Sequence, residues 1–220
     1  MTARNSRTEA NPLSFEEIPL FGVPVARATV HETPALKEQY LPEILKRYES
    51  GSYNKQTKFS SDRIHTSYGS KNEEQVMHPM PEAYDRLIRQ FVGTNNFHAR
   101  IWHSVYWSGR EYQERAHHLP GHISFLHFLS FDPAEHKRPV FYSPAGVTRA
   151  HCHQDAVDFA LWSEQAKIEF YAGDALVFPS YLEHCILAGD YKNPMVIVSI
   201  SVSVAGLDRR DISTGYRHGD

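Results

Sequence analysis

The twelve residues GDALVFPSYLEH at 173–184 constrain the fold of this chain more than any others. The Gly-Asp pair is a turn signal. Ala175, Leu176, Val177 and Phe178 form an unbroken apolar run, the pattern of a strand buried on both faces. Pro179 has no N–H to give to a ladder and marks the end of that strand. His184 follows where the next apolar run begins. A turn, a buried strand, a Pro-Ser break and an imidazole, in that order, place one candidate metal ligand at the mouth of a small barrel. The remainder of the chain must then supply the other strands and the other ligands.

Strands are plentiful downstream of Gly93. Runs at 97–107, 122–131, 140–142, 157–161, 166–171, 175–178, 184–187 and 195–204 read as strands, separated by Gly- and Pro-bearing turns. Many short strands at close spacing predict an antiparallel sandwich or jelly roll. Upstream, 17–26 is apolar and broken by Pro19 and Pro24, which fits an edge strand. Thr33 and Pro34 open a helix as N-cap and first-turn residue. It runs toward Tyr48 with Leu36, Tyr40, Ile44 and Leu45 on one face, and Pro42 is expected to kink it. Residues 51–72 are polar and loop-like, with a short strand at 63–68. A second amphipathic helix spans 81–92 through Tyr84, Leu87, Ile88 and Phe91. The expected fold class is mainly β with flanking helices: one domain over 15–207, a disordered arm at 1–14 and a loosely held tail at 208–220.

Composition narrows the function. With 220 residues the chain can bury one sizeable core. A net charge of -3 leaves no basic footprint for nucleic acid. No apolar run is long enough to cross a bilayer, and residues 1–11 lack the apolar core of a secretory signal, so the expected location is the cytoplasm. Two cysteines, Cys152 and Cys185, make no disulfide framework and agree with a reducing compartment. The exposed edge strand at 18–26 offers a way to pair two chains as a homodimer.

The unusual count is fourteen histidines. The densest group, YQERAHHLPGH at 112–122, puts His117 and His118 in a short loop between strands, with His184 far downstream. Neutral imidazole is a common ligand of iron, zinc and copper. Neighbouring side chains on extended backbone point to opposite faces, so His117 and His118 do not enter one site on regular backbone. His151 and His153 share a face if extended and could chelate, but nothing else nearby supports a site, and a structural or surface role is the preferred reading. His127 lies inside an apolar strand and reads as a core histidine with its hydrogen bonds satisfied.

Three runs, IPLFGVPVA with the helices after it, IWHSVYWSGREYQERAHHLPGHISFLHFL, and GDALVFPSYLEHCI followed by NPMVIVSISV, together resemble the iron(II)/2-oxoglutarate oxygenases of phages and marine bacteria, a prolyl-hydroxylase-like group. The resemblance covers most of 15–204. It implies a double-stranded β-helix (a cupin-like jelly roll). Fe(II) is held there by a His-x-Asp or His-x-His pair and one distal His, with open positions for 2-oxoglutarate and O₂. An arginine on a late strand pairs the distal carboxylate of 2-oxoglutarate. Carried over, His184 is the distal histidine and His118 the second member of the pair. The first member falls on Ala116, so the third ligand would come from His117, Glu114 or water. The arginine falls near Pro194 or Met195. Lys192 is the nearest cation, and Tyr112, Ser199 and Tyr106 are candidate hydrogen-bond donors to a bound acid.

The resemblance implies a dioxygenase acting on a small-molecule or protein substrate. Ala116 and Met195 support a second reading, a non-catalytic jelly-roll binding or virion-associated protein of the same ancestry. A cupin-type metalloenzyme is a third: the Gly173, Pro179 and His184 spacing also fits it and needs no arginine, but Ala116 interrupts its ligand pattern as well.

Overall fold

The computed structural model describes residues 15–20, 22–51, 65–69, 71, 75–108, 111–144 and 165–206. In chain order the elements are β1 (Phe15–Leu20), β2 (Val23–Thr29), α1 (Thr33–Glu49), β3 (His65–Thr66), α2 (Glu82–Val92), β4 (Phe97–Tyr106), β5 (Gln113–Ala116), β6 (Ile123–Ser130), β7 (Val140–Tyr142), β8 (Gln165–Lys167), β9 (Asp174–Pro179), β10 (His184–Ile186) and β11 (Met195–Val204). Seven strands form one sheet in the order β1-β2-β9-β6-β11-β4-β3, and four form a second in the order β5-β10-β7-β8. All pairings are antiparallel. The jelly roll expected from the strand spacing is what forms.

Strand alternation explains the layering. Along β11, Val196, Val198, Ile200 and Val202 join the core under the helices, with Leu36 and Ile44 of α1 and Tyr84, Leu87 and Ile88 of α2. Met195 and Ile197 face the other way, into a second core with Leu126, Phe128, Phe178, Phe141 and Ile186 between the sheets. Burying each such side chain contributes about 1.5–3 kcal/mol. The large sheet is therefore apolar on both faces over much of its length, which is why β9 reads as an unbroken apolar run. Beyond Ile197, the positions of β11 facing the second sheet become Ser199, Ser201 and Ser203, so the inter-sheet layer turns polar toward one end.

The structure corrects several local expectations. Residues 17–26 are not one edge strand: β1 and β2 form a hairpin, with β1 at the edge. Thr33 does not cap α1. Glu32 holds the N-cap position, and the Thr33 hydroxyl donates to the Val30 carbonyl at 2.6 Å. The helix runs through Pro42, which is exposed, so water can satisfy the carbonyl left unpaired one turn earlier. The segment before His117 is a strand, β5, rather than a loop. Three polar residues and an alanine at a sheet edge carry no apolar alternation to announce it. The expected strand at 157–161 lies outside the described residues.

His127 ties both helices to β6. Its Nε2 lies 2.9 Å from Thr33 Oγ1 and its Nδ1 2.8 Å from the Tyr84 hydroxyl. Because Thr33 Oγ1 already donates to Val30, it accepts from Nε2–H, and Nδ1 accepts from Tyr84. Burial holds this imidazole down at about 3, and burial with nearby Arg47 holds His103 down at about 3 as well. Both stay neutral in the fold, whereas in the unfolded chain they titrate near 6.5. Their contribution is fully present above that pH and is lost as pH falls toward 3, with a slope of up to about 2.7 kcal/mol per pH unit for the pair. His127→Leu leaves the Tyr84 hydroxyl without its acceptor and is expected to cost about 1–3 kcal/mol at pH 7. Denaturant titrations at several pH values should show that gap narrowing toward pH 4, because the variant lacks one of the protons taken up on unfolding.

Candidate functional site

His118 and His184 meet at the polar end of the inter-sheet layer. His184 opens β10, and its register partner across the pairing is Ala116, the last residue of β5. His118 follows in the loop between β5 and β6. That loop is fixed by the Pro-Ser break after β9: the His118 N–H donates to the Ser180 carbonyl at 2.9 Å, and the Ser180 N–H donates to the His122 carbonyl at 3.0 Å. The Ser201 hydroxyl and the Gly121 N–H both donate to the His118 carbonyl, at 3.2 and 3.1 Å. The two histidine-bearing segments are thus held by the same few residues.

The rings stand edge to face, with centroids 4.9 Å apart at 80°. Trp102 and Phe178 pack on His118, and Phe141 and Phe178 pack on His184. Burial holds His184 down at about 4, with His117 nearby adding to the effect. Burial also holds His118 well below the ordinary imidazole range, helped by His184 and His117. Both rings are neutral at pH 7, the form in which imidazole binds a metal. His118 Nδ1 is buried and has no hydrogen-bond partner among the described residues. A buried lone pair or N–H left in that state calls for an occupant.

Gln113 completes the group. The Tyr106 hydroxyl donates to Gln113 Oε1 at 3.2 Å, which turns the amide nitrogen toward His184 Nε2 at 3.3 Å. His184 Nε2 then accepts, and Nδ1–H makes a long bond of 3.5 Å to the Leu182 carbonyl. Among the described residues no three His, Cys, Asp or Glu side chains gather as a metal site. What gathers is two imidazoles and one carboxamide. Rotating that amide by half a turn would present its oxygen instead of its nitrogen.

The other expected site residues are dispersed. His117 is exposed at the rim of the adjoining pocket, which its half-buried neighbour His118 also lines. Glu114 is exposed and does not line the pocket. Lys192 is exposed in a loop whose backbone N–H groups donate to the Glu135 carboxylate, and it too is absent from the pocket lining. Tyr112 is half-buried just before β5. Ser199 is buried between Trp102 and Leu126 in the sheet register. Met195, where an arginine was due, is wholly buried in the inter-sheet core, opposite Tyr106. His151 and His153 lie outside the described residues. Gln113 is invisible in the sequence, because a lone glutamine in a polar segment carries no signal until the β5–β10 register is known.

Beside the histidines a pocket of about 180 Å³ opens between β4, β5 and the end of β11, with Trp102, Gln113, Ala116 and His118 in its wall. His184 is fully buried and does not reach its surface.

No protein-family model matches the chain, and no curated protein matches it in sequence. Its fold does match solved structures. A Pseudomonas putida prolyl-4-hydroxylase superposes with a TM-score of 0.51 at 13% identity, over 83% of this chain and 93% of that one. The epimerase SnoN, solved with Fe3+, alpha-ketoglutarate and nogalamycin RO, gives 0.58 at 13% identity, over 82% and 79%. A Trichoplax adhaerens prolyl hydroxylase, solved with a hypoxia inducible factor peptide fragment, gives 0.52 at 12% identity, over 88% and 87%. The chain therefore has the jelly-roll, double-stranded β-helix fold of the iron and 2-oxoglutarate oxygenases.

Gly121 lets the His118 loop lie against β11. A Cβ there would stand 2.1 Å from Ser201 Oγ, 3.0 Å from Ser180 Oγ and 3.1 Å from the His118 carbonyl oxygen. Gly121→Ala is expected to displace the Ser201 hydroxyl and cost about 1–3 kcal/mol. The double variant Gly121→Ala/Ser201→Ala removes the closest clashing atom, so thermal denaturation should show it recovering part of that loss.

Proposed function

We propose that the protein is an Fe(II)- and 2-oxoglutarate-dependent dioxygenase with a rebuilt metal site. The observation that carries this is a pair of neutral imidazoles standing edge to face, His118 half-buried in the pocket wall and His184 fully buried behind it, with His118 Nδ1 unpartnered among the described residues, in the fold of that enzyme class. His118 and His184 would hold the metal. Gln113 takes the place nearest to a third protein ligand, because Ala116 has no donor and Glu114 and His117 are exposed. Two imidazoles and an amide oxygen suit a borderline divalent ion, with less charge compensation than a carboxylate gives. When bound, iron and 2-oxoglutarate supply the oxidising chemistry, which belongs to the cofactors rather than to the chain.

The chain's own part is to orient and to exclude water. Phe141 and Phe178 keep His184 dry, and the Leu182 carbonyl fixes its tautomer. Among the acid-binding candidates, Ser199 lies on the inter-sheet side of β11 by strand alternation. A place among the phage and marine-bacterial members rests on the sequence motifs, and the substrate would be a small molecule or a protein segment. A second reading, a non-catalytic module of the same ancestry, is favoured by Met195, whose apolar packing leaves no cation at the position due for one.

Anaerobic addition of Fe(II) and 2-oxoglutarate to the metal-free protein should give a charge-transfer band, and aeration should release succinate. Neither signal would appear if the protein is the non-catalytic module. Gln113→Glu places a carboxylate within reach of His184 and is expected to raise Fe(II) affinity by about tenfold or more, read by competition with a chelating dye. His184→Ala should abolish that binding.

A further inference from the structure

The pocket beside the histidines has a chemical bias that the metal ligands do not explain. Among the described residues no aspartate or glutamate lines it, while Arg100, His98, His117 and His118 all do. Arg100 is exposed and makes no ion pair among the described residues. Its guanidinium carbon lies 5.6 Å from the centroid of the Tyr68 ring, which braces it against one side. Its register partner on β11 is Ser201, and His98 pairs with Ser203, so two hydroxyl-bearing residues sit beside two basic ones. Trp102, two residues along β4 on the same face, forms an apolar wall that reaches His118. A volume of about 180 Å³ falls short of drug-sized pockets, which start at about 300 Å³.

We propose that this pocket binds a small organic carboxylate, with Arg100 pairing the acid group and Trp102 packing against the ligand's body. A planar guanidinium fork matches a carboxylate in two parallel hydrogen bonds, and an arginine already braced on a ring loses less freedom in making them. The inference rests on the oxygenase reading only for which acid enters: 2-oxoglutarate as co-substrate, or a carboxylate of the molecule to be oxidised. The anion site itself is independent of the metal.

The test is calorimetric titration of the full chain, kept metal-free with a chelator, with 2-oxoglutarate, succinate, phenylacetate and the neutral phenylacetamide. At least one carboxylate should bind, and phenylacetamide should bind far more weakly. Arg100→Gln should weaken the carboxylate by about 10- to 100-fold, and Arg100→Lys by less. Arg100 is exposed, so both variants should fold, which circular dichroism verifies. Binding of 2-oxoglutarate and succinate assigns the site to the co-substrate, whereas binding of phenylacetate alone assigns it to the substrate. No carboxylate binding, equal binding of the amide, or an Arg100→Gln titration matching the parent would each overturn the proposal. The Fe(II) titration is separate, so either reading can fail while the other stands.

Discussion

Two backbone hydrogen bonds at Ser180 hold together the end of the jelly roll where the candidate site lies. Its carbonyl receives the His118 N–H and its N–H reaches the His122 carbonyl. Ser180 can do this because Pro179 has ended β9, leaving the next peptide free to serve a loop instead of a ladder. The same break returns the chain toward β10 and His184. One interruption in a buried strand therefore positions both imidazoles, and the hydroxyl pair Ser124 and Ser180, 2.7 Å apart, supports it from within the sheet.

The fold was legible wherever burial leaves a pattern. β7 and β11 match the sequence reading residue for residue, and α1, α2, β4, β6 and β9 match within a residue or two, because their side chains face a dry layer on one or both sides. β5 was not legible. It sits at the edge of the small sheet, and three of its four residues are polar, so neither alternation nor apolar run marks it. The hairpin at Gly22 was read as one strand because both arms are apolar and interrupted by proline. His127 was legible as a core histidine, although its partners Thr33 and Tyr84 come from two helices that only the tertiary structure brings together.

The candidate site was half legible. His118 and His184 stood out, one in a histidine-rich loop and the other after a proline break. Gln113 and Arg100 did not, since each depends on strand register: Gln113 on the β5–β10 pairing with its bulge, Arg100 on the face that β4 turns toward Ser201. Lys192 looked suitable by sequence distance from His184, but the loop carrying it is held by Glu135 outside the pocket lining. Met195 shows why no cation fits at that position, since a charge there would be stranded in the inter-sheet core without a partner.

The carboxamide of Gln113 gives the site a property that a carboxylate would not. It carries a donor and an acceptor on a nearly symmetrical frame, so either end can face His184 at no change in volume. With its nitrogen forward it satisfies the His184 lone pair while Tyr106 satisfies its oxygen, and β5 and β10 stay joined across their side chains. A glutamate at 113 would set a negative charge in the same half-buried place and depend on a cation to offset it. The side-chain link between β5 and β10 is thus closed by hydrogen bonds within the chain, with no charge from outside needed to complete it.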